Sequence, residues 1–195
     1  MKLNALEFAL MNNPVRAASQ RWLETPLLFG PRASLAGKRV LEVGCGRGVG
    51  VEILLMLGAA HVTGIDLDPE MVALAEARLT KYGDRACVFV GNAEAVAVPG
   101  ASLEVVVEYG ILHHVPRWQQ ALREIARMLK PGGVFYFEDL LIGLVGAAPM
   151  QALFDHPQAS QFHGRALRTG LEAAELHVQK WRQVGEWGVM GAAAK

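Results

Sequence analysis

The stretch Val40-Leu41-Glu42-Val43-Gly44-Cys45-Gly46-Arg47-Gly48-Val49-Gly50 joins an apolar run to a helix-length segment through glycines at every second position. A loop of this kind brings a ligand against bare backbone. Glycine lacks a Cβ and tolerates positive φ, and the helix behind the turn offers unpaired N–H groups at the positive end of its dipole. Polar or anionic groups of a nucleotide-like molecule fit there. Register then separates the possibilities: a dinucleotide fingerprint begun at Gly44 would place its third glycine where Val49 stands, which disfavours a nicotinamide-dependent oxidoreductase. A phosphate-cradling loop would close on Gly-Lys-Ser/Thr, and none follows.

The next run, His61-Val62-Thr63-Gly64-Ile65-Asp66, is rich in β-branched residues and stops at an acid about 20 positions after the glycines, the spacing of a ribose-binding carboxylate. Asp66 is therefore the candidate ribose ligand, since a carboxylate accepts from both hydroxyls of a sugar diol. Asp68 reads as a helix cap, with Pro69 at the favoured first helical position and Glu70 complementing the dipole.

Glu42 with Gly44, Gly46 and Gly48 matches the acidic residue and Gly-x-Gly-x-Gly of the first motif of class I S-adenosylmethionine-dependent methyltransferases. The chain resembles that family from about Lys38 to Asp139, because later segments arrive in order. Ala86-Cys87-Val88-Phe89-Val90-Gly91-Asn92-Ala93 corresponds to the strand and loop that meet the adenine. Leu103 to Gly110 corresponds to the central strand, and Leu129-Lys130-Pro131-Gly132-Gly133 to a characteristic turn before Val134-Phe135-Tyr136-Phe137. Two positions depart from the family. Asn92 stands where an aspartate usually accepts from the adenine amine, a bond that an asparagine carbonyl makes neutrally and more weakly, and Glu104 replaces another aspartate.

The resemblance implies a seven-stranded, mostly parallel, doubly wound α/β sheet ending in an antiparallel hairpin, with S-adenosyl-L-methionine as cofactor. It implies transfer of a methyl group to a small-molecule acceptor by direct in-line displacement; the alternative is a cofactor-binding regulatory or partner subunit without transferase activity of its own. The implied cofactor residues are Glu42, Gly44, Cys45, Gly46, Gly48, Asp66, Leu67 against the adenine face, Asn92, Ala93, Glu108 and Tyr109. Glu42, Glu108 and carbonyls around Gly44 would meet the cofactor's ammonium end, and Tyr109 would offer a ring face or hydroxyl.

Composition fits small-molecule chemistry. The 195 residues suit one domain, 52% are hydrophobic, and 19 basic residues balance 19 acidic ones, so neither disorder nor a broad electrostatic hold on nucleic acid is expected. Arg16 with Arg21, and Arg165 with Arg168, read as solvated surface pairs. Cys45 and Cys87 sit in dissimilar surroundings and suit a reducing cytoplasm. No secretory signal is recognised, and the apolar run Leu140 to Met150 is about half the length that spans a bilayer.

Within the single domain, residues 1–35 read as short helices broken by Pro14, Pro26 and Pro31, either a lid over the cofactor or a cover on one sheet face. Residues 36–139 form the cofactor core, in which Val72, Ala75 and Leu79, and Leu122, Ile125 and Leu129, make two apolar helical stripes. Residues 140–195 hold a substrate-side segment and two strands about Gly185. Leu140 to Met150, with Phe154, His156 and Phe162, reads either as an apolar wall for an apolar or amphipathic acceptor or as an ordinary packed helix or a dimer contact. His113 and His114 follow the central strand and read either as loop hydrogen-bonding residues or as candidate bases, since histidine's ordinary pKa near 6.5 suits proton transfer at neutral pH. The other histidines show no metal-ligand spacing, so no metal is expected. Oligomeric state is not encoded in any recognisable pattern.

Overall fold

β1 (Arg39–Val43), β2 (His61–Asp66), β3 (Ala86–Val90), β4 (Leu103–Tyr109) and β5 (Leu129–Leu140) pair in parallel, with β1 between β2 and β4. β6 (His177–Val184) and β7 (Gly188–Ala194) close the chain as an antiparallel hairpin, and β7 slots in beside β5. The resulting order, β3-β2-β1-β4-β5-β7-β6, is the sheet expected from the sequence. Strand order reverses between β1 and β4, which opens a crevice beyond their carboxyl ends. The computed structural model describes residues 13–147 and 160–195. Phe154 and His156 lie outside the described residues, as do the ends of the expected N-terminal cover and of the Leu140 to Met150 run.

The helices follow from local sequence. α1 (Pro14–Ser19) starts with Asn13 Oδ1 accepting the Arg16 N–H at 2.8 Å and Pro14 in the first turn, where no N–H is needed. A π turn over Gln20–Glu24 leads into α2 (Thr25–Phe29), and the Thr25 hydroxyl donates to Gln20 O at 2.7 Å. Lys180 of β6 caps this segment by donating to Leu27 O at 3.1 Å and Leu28 O at 2.7 Å.

α3 (Val49–Met56) is buried almost all round and packs behind β1 and β2. α4 (Pro69–Leu79) is capped by Asp68, whose Oδ1 accepts the Glu70 N–H at 2.9 Å, and buries Met71, Val72, Ala75 and Leu79. α5 (Trp118–Met128) buries Leu122 and Ile125 as the stripe predicts. Leu129 does not belong to that helix; it opens β5, since Lys130 before Pro131 is driven towards extended backbone and the helix stops short of it. Leu129 stays in the same core because β5 runs directly beneath.

Each sheet face carries one apolar cluster. One joins Leu41, Val43, Val106, Phe135 and Phe137 to α5 and to α7 (Gly164–Ala173), after the short α6 (Ile142–Val145). The other joins Val40, Val62, Val105, Val107 and Tyr109 to α3, α4 and Leu28 of α2. Phe162 belongs to the first, with its ring 4.9 Å from that of Trp118, so it packs in the core. The Gly- and Ala-rich β7 is small for a reason: a Cβ at Gly191 would fall 2.6 Å from the Phe137 ring. No helix among the described residues is long and apolar enough to cross a membrane.

Candidate functional site

A cavity of about 580 Å³ opens where β1 to β4 end, and its wall contains Glu42, Gly44, Cys45, Gly46, Asp66, Leu67, Asn92, Ala93, Tyr109 and His114. The glycine loop is its floor. Gly46 sits at φ +50° with nothing within 4 Å of where a Cβ would stand, so the loop presents backbone to open space. Gly48 has a different task. It caps α3 at φ +79°, a Cβ there would press on Ala75 and Leu79 at 3.1 Å, and it does not belong to the cavity wall.

Asp66 shapes the loop directly. Its Oδ2 accepts the Gly46 N–H at 2.8 Å and its Oδ1 accepts the Asp68 N–H at 2.9 Å, so one carboxylate ties the end of β2 to the turn after β1. Burial raises its pKa, and these two N–H groups offset only part of the rise. Each oxygen keeps a second lone pair for a ligand. Leu67 next to it is 52% exposed, an apolar surface turned to the crevice.

Glu42 lies deeper, on the face of β1 packed by α3. A Cβ on Gly50 would lie 2.0 Å from its Oε1, so glycine at that place makes room for the carboxylate. Burial, then the charge of Asp66, pushes the Glu42 pKa well above the usual carboxylate range. Its Oε2 has no hydrogen-bond partner among the described residues. Cys45 is buried beside it, and its thiol pKa is raised by burial and then by Glu42. Tyr109 holds α2 in place through a 3.0 Å hydrogen bond between its hydroxyl and that of Thr25, and burial raises its pKa as well.

Glu108 departs from the expectation. Strand alternation puts it on the face shared with Phe137, opposite Glu42, fully buried and outside the cavity wall. Its Oε2 accepts the Ile111 N–H at 2.8 Å, which shapes the loop after β4 from behind. Burial, then the charge of Asp139, raises its pKa well above the ordinary value. His113 also turns inward. Its Nδ1 is hydrogen-bonded to Asp139 at the end of β5, its carbonyl accepts the Ser160 hydroxyl, and it is absent from the wall. His114 is on the wall, its ring 4.0 Å from that of His113.

Sequence reasoning missed Arg16, Ala17 and Gln20, which reach the wall from the N-terminal helices. Arg16 Nη1 donates to both carboxylate oxygens of Glu24, at 2.7 and 2.6 Å, and Arg21 pairs with the buried Glu52 at 2.9 Å, so this pair of arginines is not a solvated surface feature. The one available signal was Asn13-Pro14, a helix start that fixes the face on which Arg16 falls. Arg47 of the glycine loop donates to Asn13 O at 3.0 Å, which fastens that helix start over the site.

Comparison with known proteins agrees with this geometry. A family model described as a methyltransferase domain matches residues 41–137. A ubiquinone biosynthesis O-methyltransferase of Thiobacillus denitrificans is 38% identical over 181 residues, which cover 84% of this chain and 73% of that protein. Among solved structures, an S-adenosylmethionine-dependent methyltransferase from Mesorhizobium loti superposes with a TM-score of 0.76 at 16% identity, over 88% of this chain and 97% of that one. The cyclase SpnF does so at 0.74 with 20% identity, over 88% and 80%. These two likenesses establish the fold, which serves more than one chemistry. Sequence identity across most of both chains, the matched domain model and the glycine loop closed by Asp66 together place this chain in the class I S-adenosylmethionine-dependent methyltransferases.

Proposed function

We propose that this chain transfers a methyl group from S-adenosyl-L-methionine to a hydroxyl group of a small apolar or amphipathic acceptor. The observation that carries the reading is the buried, unpartnered Oε2 of Glu42 in the wall of a cavity of about 580 Å³. An orphaned buried carboxylate oxygen calls for a cationic or donor ligand, and the ammonium group of the cofactor is one. The remaining wall suits the rest of the molecule. Asp66 retains lone pairs for ribose hydroxyls, Leu67 offers a flat apolar contact for the base, and Arg16 brings a guanidinium that suits the cofactor's carboxylate.

The cofactor, when bound, supplies a methyl group on a positively charged sulfur, already activated towards a nucleophile. The chain's part is positioning. The glycine floor and the Glu42 and Asp66 carboxylates fix one reactant, and Ile111, Val115 and Pro116 give the acceptor an apolar, water-poor surface. His114 serves as proton acceptor for the hydroxyl, since it stands on the wall while His113 and Asp139 brace its loop from behind. The hydroxyl assignment is supported by the name of the Thiobacillus denitrificans relative. With both cysteines free, the reducing cytoplasm is the fitting compartment.

The test is calorimetric titration with S-adenosyl-L-homocysteine, followed by mass-spectrometric detection of methyl transfer to a panel of hydroxyaromatic acceptors. Binding with transfer to oxygen, reduced at least about tenfold in His114→Gln, is expected. Failure to bind the thioether, or binding without transfer to any hydroxyl, overturns the reading.

A further inference from the structure

The end of β3 carries an asparagine whose orientation is fixed, and that orientation sets what the cavity offers to a purine. Asn92 Oδ1 accepts the Glu94 N–H at 2.9 Å, and Asn92 O accepts the Ala95 N–H at 3.0 Å, so the residue is locked in a tight Asx turn on the cavity wall. An N–H can be met only by the amide oxygen. The ambiguity between the two ends of the side chain is thereby removed, and Nδ2 is the end that keeps its full capacity for a ligand while Oδ1 keeps one lone pair. Nδ2 makes no hydrogen bond among the described residues, and Asn92 is exposed.

The carboxylate nearest in sequence is already paired with a cation. Glu94 is also on the wall, but its Oε1 accepts the Arg117 N–H at 3.0 Å and its Oε2 accepts Arg117 Nε at 2.8 Å. This part of the rim therefore presents a neutral amide with its oxygen half used and both Nδ2 hydrogens available. A 6-amino purine needs an acceptor at that edge, and a 6-oxo purine needs a donor.

On the cofactor reading above, we propose that Asn92 relaxes selection at the purine 6-position, so that the site takes 6-oxo analogues of the cofactor nearly as well as the 6-amino form, with Nδ2 donating to the 6-oxygen. An aspartate here would do the reverse. It would give the 6-amino group a charged acceptor and set a negative charge against a 6-oxygen.

The experiment is calorimetric titration of the full chain and of its Asn92→Asp variant with S-adenosyl-L-homocysteine and with S-inosyl-L-homocysteine, its 6-oxo counterpart. Aspartate keeps an oxygen for the Glu94 N–H, so the turn survives, and a thermal melt of the variant checks this. The wild-type affinities for the two thioethers are expected to lie within about tenfold, and Asn92→Asp is expected to raise the preference for the adenosyl form about tenfold or more. A wild type that already prefers the adenosyl form about a hundredfold, or a preference that the substitution leaves unchanged or lowers, overturns the inference while leaving the cofactor reading intact. A wild type that binds neither compound overturns that reading, and this inference with it.

Discussion

Glu42→Gln is expected to gain stability relative to the wild type as pH rises while weakening the protein's hold on the cofactor. The Glu42 carboxyl is 2% exposed, its Oε2 has no partner among the described residues, and Asp66 adds a like charge, so its pKa is raised well above the ordinary carboxylate range. The unfolded chain releases this proton in the ordinary carboxylate range, whereas the fold keeps it to higher pH. Between those limits the folded state binds more protons, so wild-type stability falls as pH rises, by at most about 1.4 kcal/mol per pH unit for one group. Glutamine has no proton to lose. Over two pH units above the ordinary range the variant should therefore gain up to about 2–3 kcal/mol on the wild type. Glu138, pushed up to about 7 by burial, and Glu108 add slopes of the same sign to both proteins, and these cancel in the difference. Binding moves the other way. Loss of a charge-assisted bond to an ammonium group costs about 1.5–3 kcal/mol, a tenfold to hundredfold weaker affinity. Urea denaturation at pH 5, 6, 7 and 8 reads the first effect, and titration with S-adenosyl-L-homocysteine at pH 8 reads the second. A stability difference independent of pH, or an unchanged affinity, would refute the reasoning.

Asp66→Ala removes the acceptor for the Gly46 and Asp68 N–H groups together with the proposed ribose ligand, so a loss of about 1–3 kcal/mol in unfolding free energy should accompany at least about tenfold weaker thioether binding. A variant that loses neither would contradict the role of this carboxylate in the loop. Gly46→Val places a branched side chain at φ +50° facing the cavity, and should cost about 1–2 kcal/mol of stability and abolish measurable binding in titration. Glu52 gathers Arg21 at 2.9 Å, Lys81 at 2.7 Å and Arg78 at 3.4 Å, and these partly exposed cations can turn to water once it is gone. Glu52→Gln should therefore cost only about 1–2 kcal/mol, with faster tryptic cleavage after Arg21 as the sign that the N-terminal helices have loosened. Asp139→Asn leaves the buried His113 ring without its charged partner; a drop of about 2–4 kcal/mol is expected by thermal or chemical denaturation, and an unchanged midpoint would argue against the buried pair.

Much of the scaffold was legible because its signals are local. The β-branched runs that stop at Val43, Asp66 and Val90 and the Asp68-Pro69 helix start each act through a few neighbouring residues and appear where they were expected, whereas the helix before Lys130 ends at Met128 and the expected turn from Leu129 is already strand. The loop residues Gly44 and Gly46 and the acid Asp66 were equally plain, since a spacing of about 20 positions fixes their meeting at adjacent strand ends.

Strand alternation, by contrast, tells which residues share a side without telling which side faces the ligand. Glu42 and Glu108 both read as acids in apolar strands buried on two faces; only the stacking of α3 against one face and α5 against the other turned the first to the cavity and the second away. The same holds for His113 and His114, adjacent in sequence and split by a single turn whose direction is set by Asp139 and Ser160 from distant parts of the chain. Arg16 lies 28 residues before Gly44 and joins the wall only because the N-terminal helices fold back over the sheet, held there by Glu52, Tyr109 and Lys180. The sequence by itself determined the order of elements, the glycine floor and the acid that ends β2, all products of backbone preference and short spacing. Tertiary structure alone decided which charged side chains line the cavity, because that choice depends on which face each layer covers, and layers are set by long-range packing.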